Sequence, residues 1–174
     1  MTFGDQADDS GQEGGGKQGV GFATARGREW PSVRQFNVFL ANRMGAMLDL
    51  LRAFETSDLR VVSLTVVENA DCAIIRLVAS DYERGYELLK AAKLPFTESD
   101  LMVVKLPDND QPLLTICKAF LSGEINMHYC YPLLTGVGPM GNTALAVHVD
   151  DFENAVHTLQ NLGFTLFTEG DLKD

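Results

Sequence analysis

The sequence predicts an α+β fold of two ferredoxin-like βαββαβ modules lying side by side, with the helices of each module on one face of an antiparallel sheet. Two observations lead to this prediction. The hexapeptide at residues 96–101 returns at residues 167–172 with a change at its fourth position only. Before each copy, the apolar pattern runs in the order strand, helix, strand, strand, helix. A unit of about 70 residues that occurs twice indicates two similar modules, so any binding site should also be sought in pairs.

The chain divides into three predicted segments. Residues 1–32 contain half of the 16 glycines and few apolar side chains, so we expect a disordered leader that cannot offset its chain entropy. Residues 33–100 form the first module and residues 101–174 the second. Each module opens with a short apolar run, at residues 33–41 and 101–106. A helix with apolar residues at three- and four-residue spacing follows each run.

Two further strands follow in each module. They span residues 59–68, 72–79, 125–134 and 143–149. The segments between them, residues 69–71 and 136–141, contain turn formers and predict hairpins. We expect a second helix in each module, after Asp81 in the first and after Asp150 in the second, because either carboxylate can cap a helix. The repeated hexapeptide then ends each module as a strand. We expect the modules to join edge to edge in a sheet of about eight strands, which removes two of the four sheet edges.

Composition argues against several classes of function. The net charge is −10, and the 14 Lys and Arg residues are scattered, which disfavours nucleic-acid binding. The sequence contains no stretch of about 18 apolar residues, which is the length that would predict a membrane span, and no signal peptide is recognisable. Cys72, Cys117 and Cys130 form no Cys-x-x-Cys pair, as expected for reduced thiols in the cytoplasm.

Two motifs carry a resemblance to a known family. The turn Asn42-Arg43-Met44-Gly45 is similar to the Asn-x-Pro-Gly turn of ACT domains, and residues 125–131 resemble the Asn-Ile-x-Tyr-x-Tyr strand of tandem ACT proteins. With the element order, the resemblance covers residues 33–174. It implies a non-catalytic regulator that binds an amino acid, needs no cofactor and forms homo-oligomers. It also offers an acetolactate-synthase-like enzyme of branched-chain amino-acid synthesis as the candidate partner.

The resemblance implies one principal ligand site, between the two modules. A glycine at the start of a helix lets a ligand approach the free backbone amides, which favour a carboxylate. In paired ACT domains, this turn faces the second strand of the neighbouring module. The predicted site residues are therefore Asn42, Arg43, Met44, Gly45, Ala46, Asn126 and His128. The opposite cleft should be degenerate or differently selective, because Arg60 and Leu113 stand at the positions equivalent to Asn126 and Gly45.

The turn also has a purely structural interpretation, in which Asn42 caps the helix and Gly45 only packs. Met44 replaces the family's proline, so the loop is not fixed in advance. The ligand also stays open between branched-chain, aromatic and small polar amino acids, because the sequence does not identify the apolar partners of the pocket.

Other hypotheses stay open. His128, Cys130 and His148 lie on adjacent predicted strands and could share a sheet face as zinc or nickel ligands. Residues 144–155 resemble the opening of vicinal-oxygen-chelate enzymes, but the strands and metal ligands of that module do not follow. Residues 136–141 match a dinucleotide fingerprint, yet a strand follows them where that motif needs a helix. A last alternative is a structural adaptor that dimerises through an open sheet face and keeps only a vestigial ligand site.

Overall fold

The predicted βαββαβ order is present twice. The computed structural model describes residues 30–41, 43, 45–68, 72–136 and 142–173. The strands of this part of the chain are β1 (Val33–Ala41), β2 (Val61–Glu68), β3 (Cys72–Ala79), β4 (Phe96–Lys105), β5 (Met127–Thr135), β6 (Asn142–Val149) and β7 (Leu166–Phe167). The helices are α1 (Ala46–Glu55), α2 (Tyr82–Ala91), α3 (Pro112–Ser122), α4 (Phe152–Asn161) and a 3-10 helix at Glu169–Leu172. The predicted α+β fold class is therefore confirmed.

The two modules share strand β4. Its first half pairs antiparallel with β1, where Leu101 lies opposite Val33. Its second half pairs with β6 and with β7, where Met102 lies opposite Val147 and Val103 opposite Phe167. The sheet therefore has seven strands in the described residues, not the expected eight. The first hexapeptide and the apolar run after it form one continuous strand, so the modules join through a common strand and not through two separate edges.

Each module has its own core between its helices and its part of the sheet. In the first module, α1 and α2 pack on β1 and β3 around Phe36, Leu50 and Leu89. In the second module, α3 and α4 pack on β4 and β6 around Phe120 and Leu159. These five side chains are almost fully buried, as the amphipathic patterns of the four helices predict.

The sheet faces without helices pack against each other. A third apolar cluster combines Val62 and Val78 of the first module with Tyr131, Leu133 and Ala146 of the second. The adaptor alternative assumed an open sheet face, and this face is not open, because each module covers it in the other.

The sheet curls around the third cluster until its two edge strands, β2 and β5, meet. Ser63 Oγ donates to the carbonyl oxygen of Pro132 at 2.8 Å. The Arg60 guanidinium donates to the carbonyl oxygens of Leu134 at 3.3 Å and Gly136 at 3.0 Å. Arg60 thus joins the two edges, a structural role that the sequence did not indicate. These contacts cover part of the backbone that an edge strand would otherwise leave unpaired.

The second copy of the hexapeptide differs from the first in structure. Only Phe167 belongs to a strand, and the chain then turns into the 3-10 helix. The reason is local, because the Asp171 carboxylate accepts hydrogen bonds from the backbone N–H and the hydroxyl of Thr168, at 2.7 and 2.8 Å. Leu172 is then buried in the third cluster. The predicted last strand is therefore wrong beyond Phe167.

The other local predictions have mixed outcomes. The Asp81 carboxylate caps α2, as predicted. Asp151, and not Asp150, caps α4 by accepting from the backbone N–H of Asn154 at 3.0 Å.

The paired strands confirm both hairpins, although residues 69–71 and 137–141 lie outside the described residues. Residues 1–29 of the predicted leader also lie outside them, whereas Trp30 packs on the second core with its ring centroid 5.1 Å from that of His157.

A buried ion pair holds the C-terminal segment on the first module. The Arg34 guanidinium donates to the Glu169 carboxylate at 2.5 and 2.8 Å and to Glu83 at 3.3 Å. Its Cζ atom lies 3.1 Å from the ring centroid of Tyr82. The side chains of Arg34 and Glu169 are 5% and 14% exposed, so each charge depends on its partner for compensation.

We predict that Glu169→Gln lowers the free energy of unfolding by about 3 kcal/mol, because it leaves the Arg34 charge buried without its main partner. Urea denaturation measures the difference. Glu87→Gln, an exposed change on α2, is the control and should have little effect. Equal stability of the two variants would contradict the role assigned to the ion pair.

Candidate functional site

Gly45 ends the turn between β1 and α1 in a left-handed backbone conformation. Gly45 is the N-cap residue of α1, with φ 87°, and it has no side chain to accept from the first-turn amides. The N-cap position is therefore occupied by Gly45. Asn42 and Met44 lie outside the described residues, so their contribution stays a prediction. Since an added Cβ at Gly45 would have no atom within 4 Å, the glycine serves its backbone conformation and not close packing.

An apolar hollow of about 150 Å³ lies beside this turn. It is lined by Leu40, Ala41, Arg43, Ala46, Met47, Val66, Ala73 and Ile75. The lining thus contains two residues of the predicted site, Arg43 and Ala46. Arg43 Nη2 donates to the Asp49 carboxylate at 2.7 Å, and both side chains are largely exposed. An exposed ion pair of this kind contributes little stability, so Arg43 can exchange its partner at small cost.

The described residues that line the hollow all belong to the first module. Asn126 is exposed and lies just before β5, where its backbone N–H donates to the Asp150 carboxylate at 3.2 Å. In return, the backbone N–H of Asp150 donates to the carbonyl oxygen of Asn126 at 3.3 Å. His128 is also exposed and follows the first residue of β5. A site that combines the turn with Asn126 and His128 stays a prediction.

A wider groove of about 810 Å³ lies between the end of α2 and the start of β4. Its lining includes Lys90, Lys93 and Glu98, and it is a broad depression of the surface. We favour the hollow at the turn because it is smaller, better enclosed and mostly apolar, as small-molecule sites usually are.

A polar cluster that the sequence did not identify lies between the modules. Gln35 is fully buried. Its amide nitrogen donates to the Asn37 side chain at 2.6 Å and to the Tyr129 hydroxyl at 2.9 Å. Its amide oxygen accepts from the Tyr131 hydroxyl, and burial raises the pKa of Tyr131, so this hydroxyl stays a donor. The sequence signal was the pair Gln35 and Asn37, two residues apart on β1, because this spacing places both polar side chains on one sheet face.

The proposed metal cluster is not formed. A bulge in β5 at His128 shifts the register, so that Tyr129 lies opposite His148 and Cys130 opposite Val147. Since opposed residues share a sheet face, Cys130 points away from His148. The two imidazole centroids are 5.3 Å apart. Among the described residues, no group of three or more His, Cys, Asp or Glu side chains could hold a metal ion.

His148 lies in an unusual environment. Its Nδ1 atom is buried without a hydrogen-bond partner in the described part of the chain. Burial is the main cause that lowers the pKa of His148, and the nearby charges of His128 and Arg76 lower it further, while Asp100 acts against them. The neutral imidazole is therefore favoured in the folded chain.

Together, the fold and the glycine turn define a tandem α+β protein of the ACT class. A family model described as "ACT domain pair" matches residues 31–172. The chain therefore belongs to the ACT domain pair family. None of the helices in the described residues has the length and apolar character needed to cross a membrane.

Two solved structures resemble this chain to different degrees. Protein BT0572 from Bacteroides thetaiotaomicron is 18% identical, with a TM-score of 0.72 over 82% of this chain and 96% of that protein. The ligand-free regulatory subunit of aspartate kinase from Thermus thermophilus is 10% identical, with a TM-score of 0.48 over 75% of this chain and 91% of that one. No curated protein sequence gives a significant match.

We predict that Gly45→Ala and Gly163→Ala each lower the free energy of unfolding by about 1 kcal/mol, because an L side chain is strained at positive φ. The two glycines have φ values of 87° and 81°, and neither has an atom near an added Cβ. Thermal or urea denaturation measures both variants. A clear loss at Gly163 with none at Gly45 would contradict the left-handed conformation assigned to the turn.

We also predict that stability falls on mild acidification. The pKa of His148 is lowered from its ordinary value of 6.5, so the unfolded chain binds this proton more readily than the folded one. The stabilisation is full above pH 6.5 and decreases as the pH falls through the ordinary pKa towards the lowered one. Denaturation across this range should show a smaller slope for His148→Gln. His157→Gln, at an exposed histidine, should keep the wild-type slope, and an unchanged slope in His148→Gln would refute the assignment.

Proposed function

We propose that the protein is a non-catalytic regulator that binds an amino acid at the turn between β1 and α1. The left-handed Gly45 at the start of α1, beside an apolar hollow, is the observation that carries this proposal. Membership of the ACT domain pair family supports it, since ACT domains are small modules that bind amino acids and regulate metabolic enzymes.

The two parts of the turn site suit the two parts of an amino acid. The first-turn amides of α1 favour the ligand carboxylate, because a helix N-terminus presents free N–H donors and a positive dipole end. Arg43 adds a cation at the rim of the hollow. A hollow of about 150 Å³ is the size that holds one benzene-sized group. This volume favours an aliphatic or small aromatic side chain.

The second module completes the site in our proposal. Asn126 and His128 lie at the start of β5, and Asn126 supplies both a donor and an acceptor for the zwitterionic part of the ligand. A ligand that touches both modules favours one relative arrangement of them. It shifts that equilibrium only by its difference in affinity for the two arrangements.

Regulation requires a target, and we propose a cytoplasmic homo-oligomer that acts on an enzyme of amino-acid synthesis. The size and apolar lining of the hollow are consistent with a branched-chain ligand. An acetolactate-synthase-like enzyme is then the first partner to test, in a pull-down with and without the amino acid.

We predict that one or more apolar amino acids raise the melting temperature in a screen of all twenty. At about 100 times its dissociation constant, a ligand that binds only the folded chain adds about 2.7 kcal/mol of stability. Gly45→Val should abolish the response, because its side chain obstructs the approach to the first-turn amides. Asn126→Ala should weaken it if the second module contributes.

Gly163→Ala is the matched control, since it changes a glycine of similar φ far along the chain from the turn. It should lower the melting temperature of the free protein but keep the ligand-dependent increase. No response to any amino acid would refute the proposed function. An unchanged response in both Gly45→Val and Asn126→Ala would refute the site.

A further inference from the structure

A group of polar side chains lies at one end of the third cluster. We call it the polar mouth and define it by Asn37, Arg76, His128, Tyr129 and His148. Asn37 lies opposite Arg76 in the β1–β3 ladder, and Tyr129 lies opposite His148 in the β5–β6 ladder. The mouth is therefore contributed by both modules, at one end of the curled sheet. The mouths of curled sheets and barrels are common positions for small ligands.

Arg76 is held in the mouth by stacking and not by a counter-charge. Its Cζ atom lies 3.7 Å from the ring centroid of Tyr129, whose hydroxyl is in turn fixed by Gln35. In the described part of the chain, no Asp or Glu forms an ion pair with Arg76. The chain has a net charge of −10, so acidic side chains are abundant and a half-buried guanidinium without an acidic partner is unexpected. The stacked geometry leaves the N–H edge available for a planar anion.

The other mouth residues lie around Arg76 and Tyr129. The His148 ring lies with its centroid 4.9 Å from that of Tyr129 and 5.3 Å from that of His128. Its Nδ1 atom is buried and has no partner in the described residues. Asn37 donates to Ser99 Oγ at 2.8 Å and is thereby held beside Arg76.

Apolar side chains lie next to the mouth on the same sheet face. Ile74 precedes Arg76 by two residues on β3, so the two side chains share a face. Phe39 and Val67 lie opposite Ile74 in the neighbouring strands. All three are only partly buried. A ligand carboxylate at Arg76 could therefore place a short apolar tail on Ile74 and Phe39.

We propose that the polar mouth binds a small organic carboxylate with a short apolar tail, held by the guanidinium of Arg76. The polar mouth shares His128 with the proposed amino-acid site but does not use the turn at Gly45, so it goes beyond that site and does not depend on it. Its ligand needs no ammonium group, because no Asp or Glu of the described residues forms an ion pair with Arg76 that could hold a second cation there. The ligand class that we propose for the polar mouth is therefore a simple carboxylate with an aliphatic chain.

A titration of the full chain with butanoate tests this proposal. The imidazole C–H signals of His128 and His148 are followed by NMR in protein with 13C-labelled histidine. Butanoate should shift both signals in a saturable way, because it binds beside the two rings. Butanamide has the same shape without the charge and should cause no shift. Sodium chloride at equal ionic strength controls for screening.

Variants of Arg76 identify the cation responsible. Arg76→Gln should weaken butanoate binding about tenfold to a hundredfold, the usual effect of losing a charged hydrogen bond. Arg76→Lys keeps the charge but loses the planar fork, so its affinity should be intermediate. Arg52→Gln removes an exposed arginine of α1 and should bind like the wild type. Circular dichroism and melting temperatures show that each variant is folded.

Three outcomes would overturn the proposal. They are the absence of any saturable shift with butanoate, an equal response to butanamide, and wild-type affinity in folded Arg76→Gln. The test is independent of the amino-acid screen, because Gly45→Val should leave the butanoate titration unchanged. A positive titration with a negative screen would therefore refute only the turn site, and the reverse result would refute only the mouth.

Discussion

The pairing of β4 with both modules is the constraint on which the rest of this structure depends. Along this strand, Leu101 and Val103 face the third cluster, whereas Phe96 packs on the first core and Met102 on the second. One strand thus contributes to all three clusters through the alternation of its side chains. Because its two halves belong to different modules, the backbone itself fixes how the modules meet. Their helix-free faces can then pack without the freedom of two domains joined by a linker.

The repeated hexapeptide shows how one sequence supports two structures. In the first copy, β1 supplies a partner strand over the whole segment. In the second copy, the pairing with β4 ends at Phe167, and Thr168 and Asp171 close a capping box instead. Glu169 then turns towards Arg34. The single Ser-to-Gly change is the smaller cause of this difference. The larger cause is the neighbouring strand, because β1 already pairs with the stretch of β4 that the second copy would reach beyond Phe167.

The sequence was sufficient for what depends on local pattern and duplication. The order of the elements, the cap at Asp81 and the glycine at the start of α1 all follow from periodicity, turn chemistry and the alignment of the copies. The sequence was insufficient for the features that depend on long-range geometry. The bulge that separates Cys130 from His148 is not visible in an alternation pattern. The contacts of Arg60 and Arg76 depend on how the sheet curls, and no pattern within one module reveals this.

The two candidate ligand positions lie on opposite faces of the same strands. On β1, Leu40 lines the hollow at the turn while Asn37 belongs to the polar mouth. On β3, Ile75 lines the hollow while Arg76 stacks on Tyr129 of the second module. A ligand that displaces either strand at one position therefore changes the other position as well. Any such coupling is reciprocal by thermodynamic necessity. If our two proposals hold, the ladder between β1 and β3 is the physical element that couples occupancy of the turn to the contact between the modules.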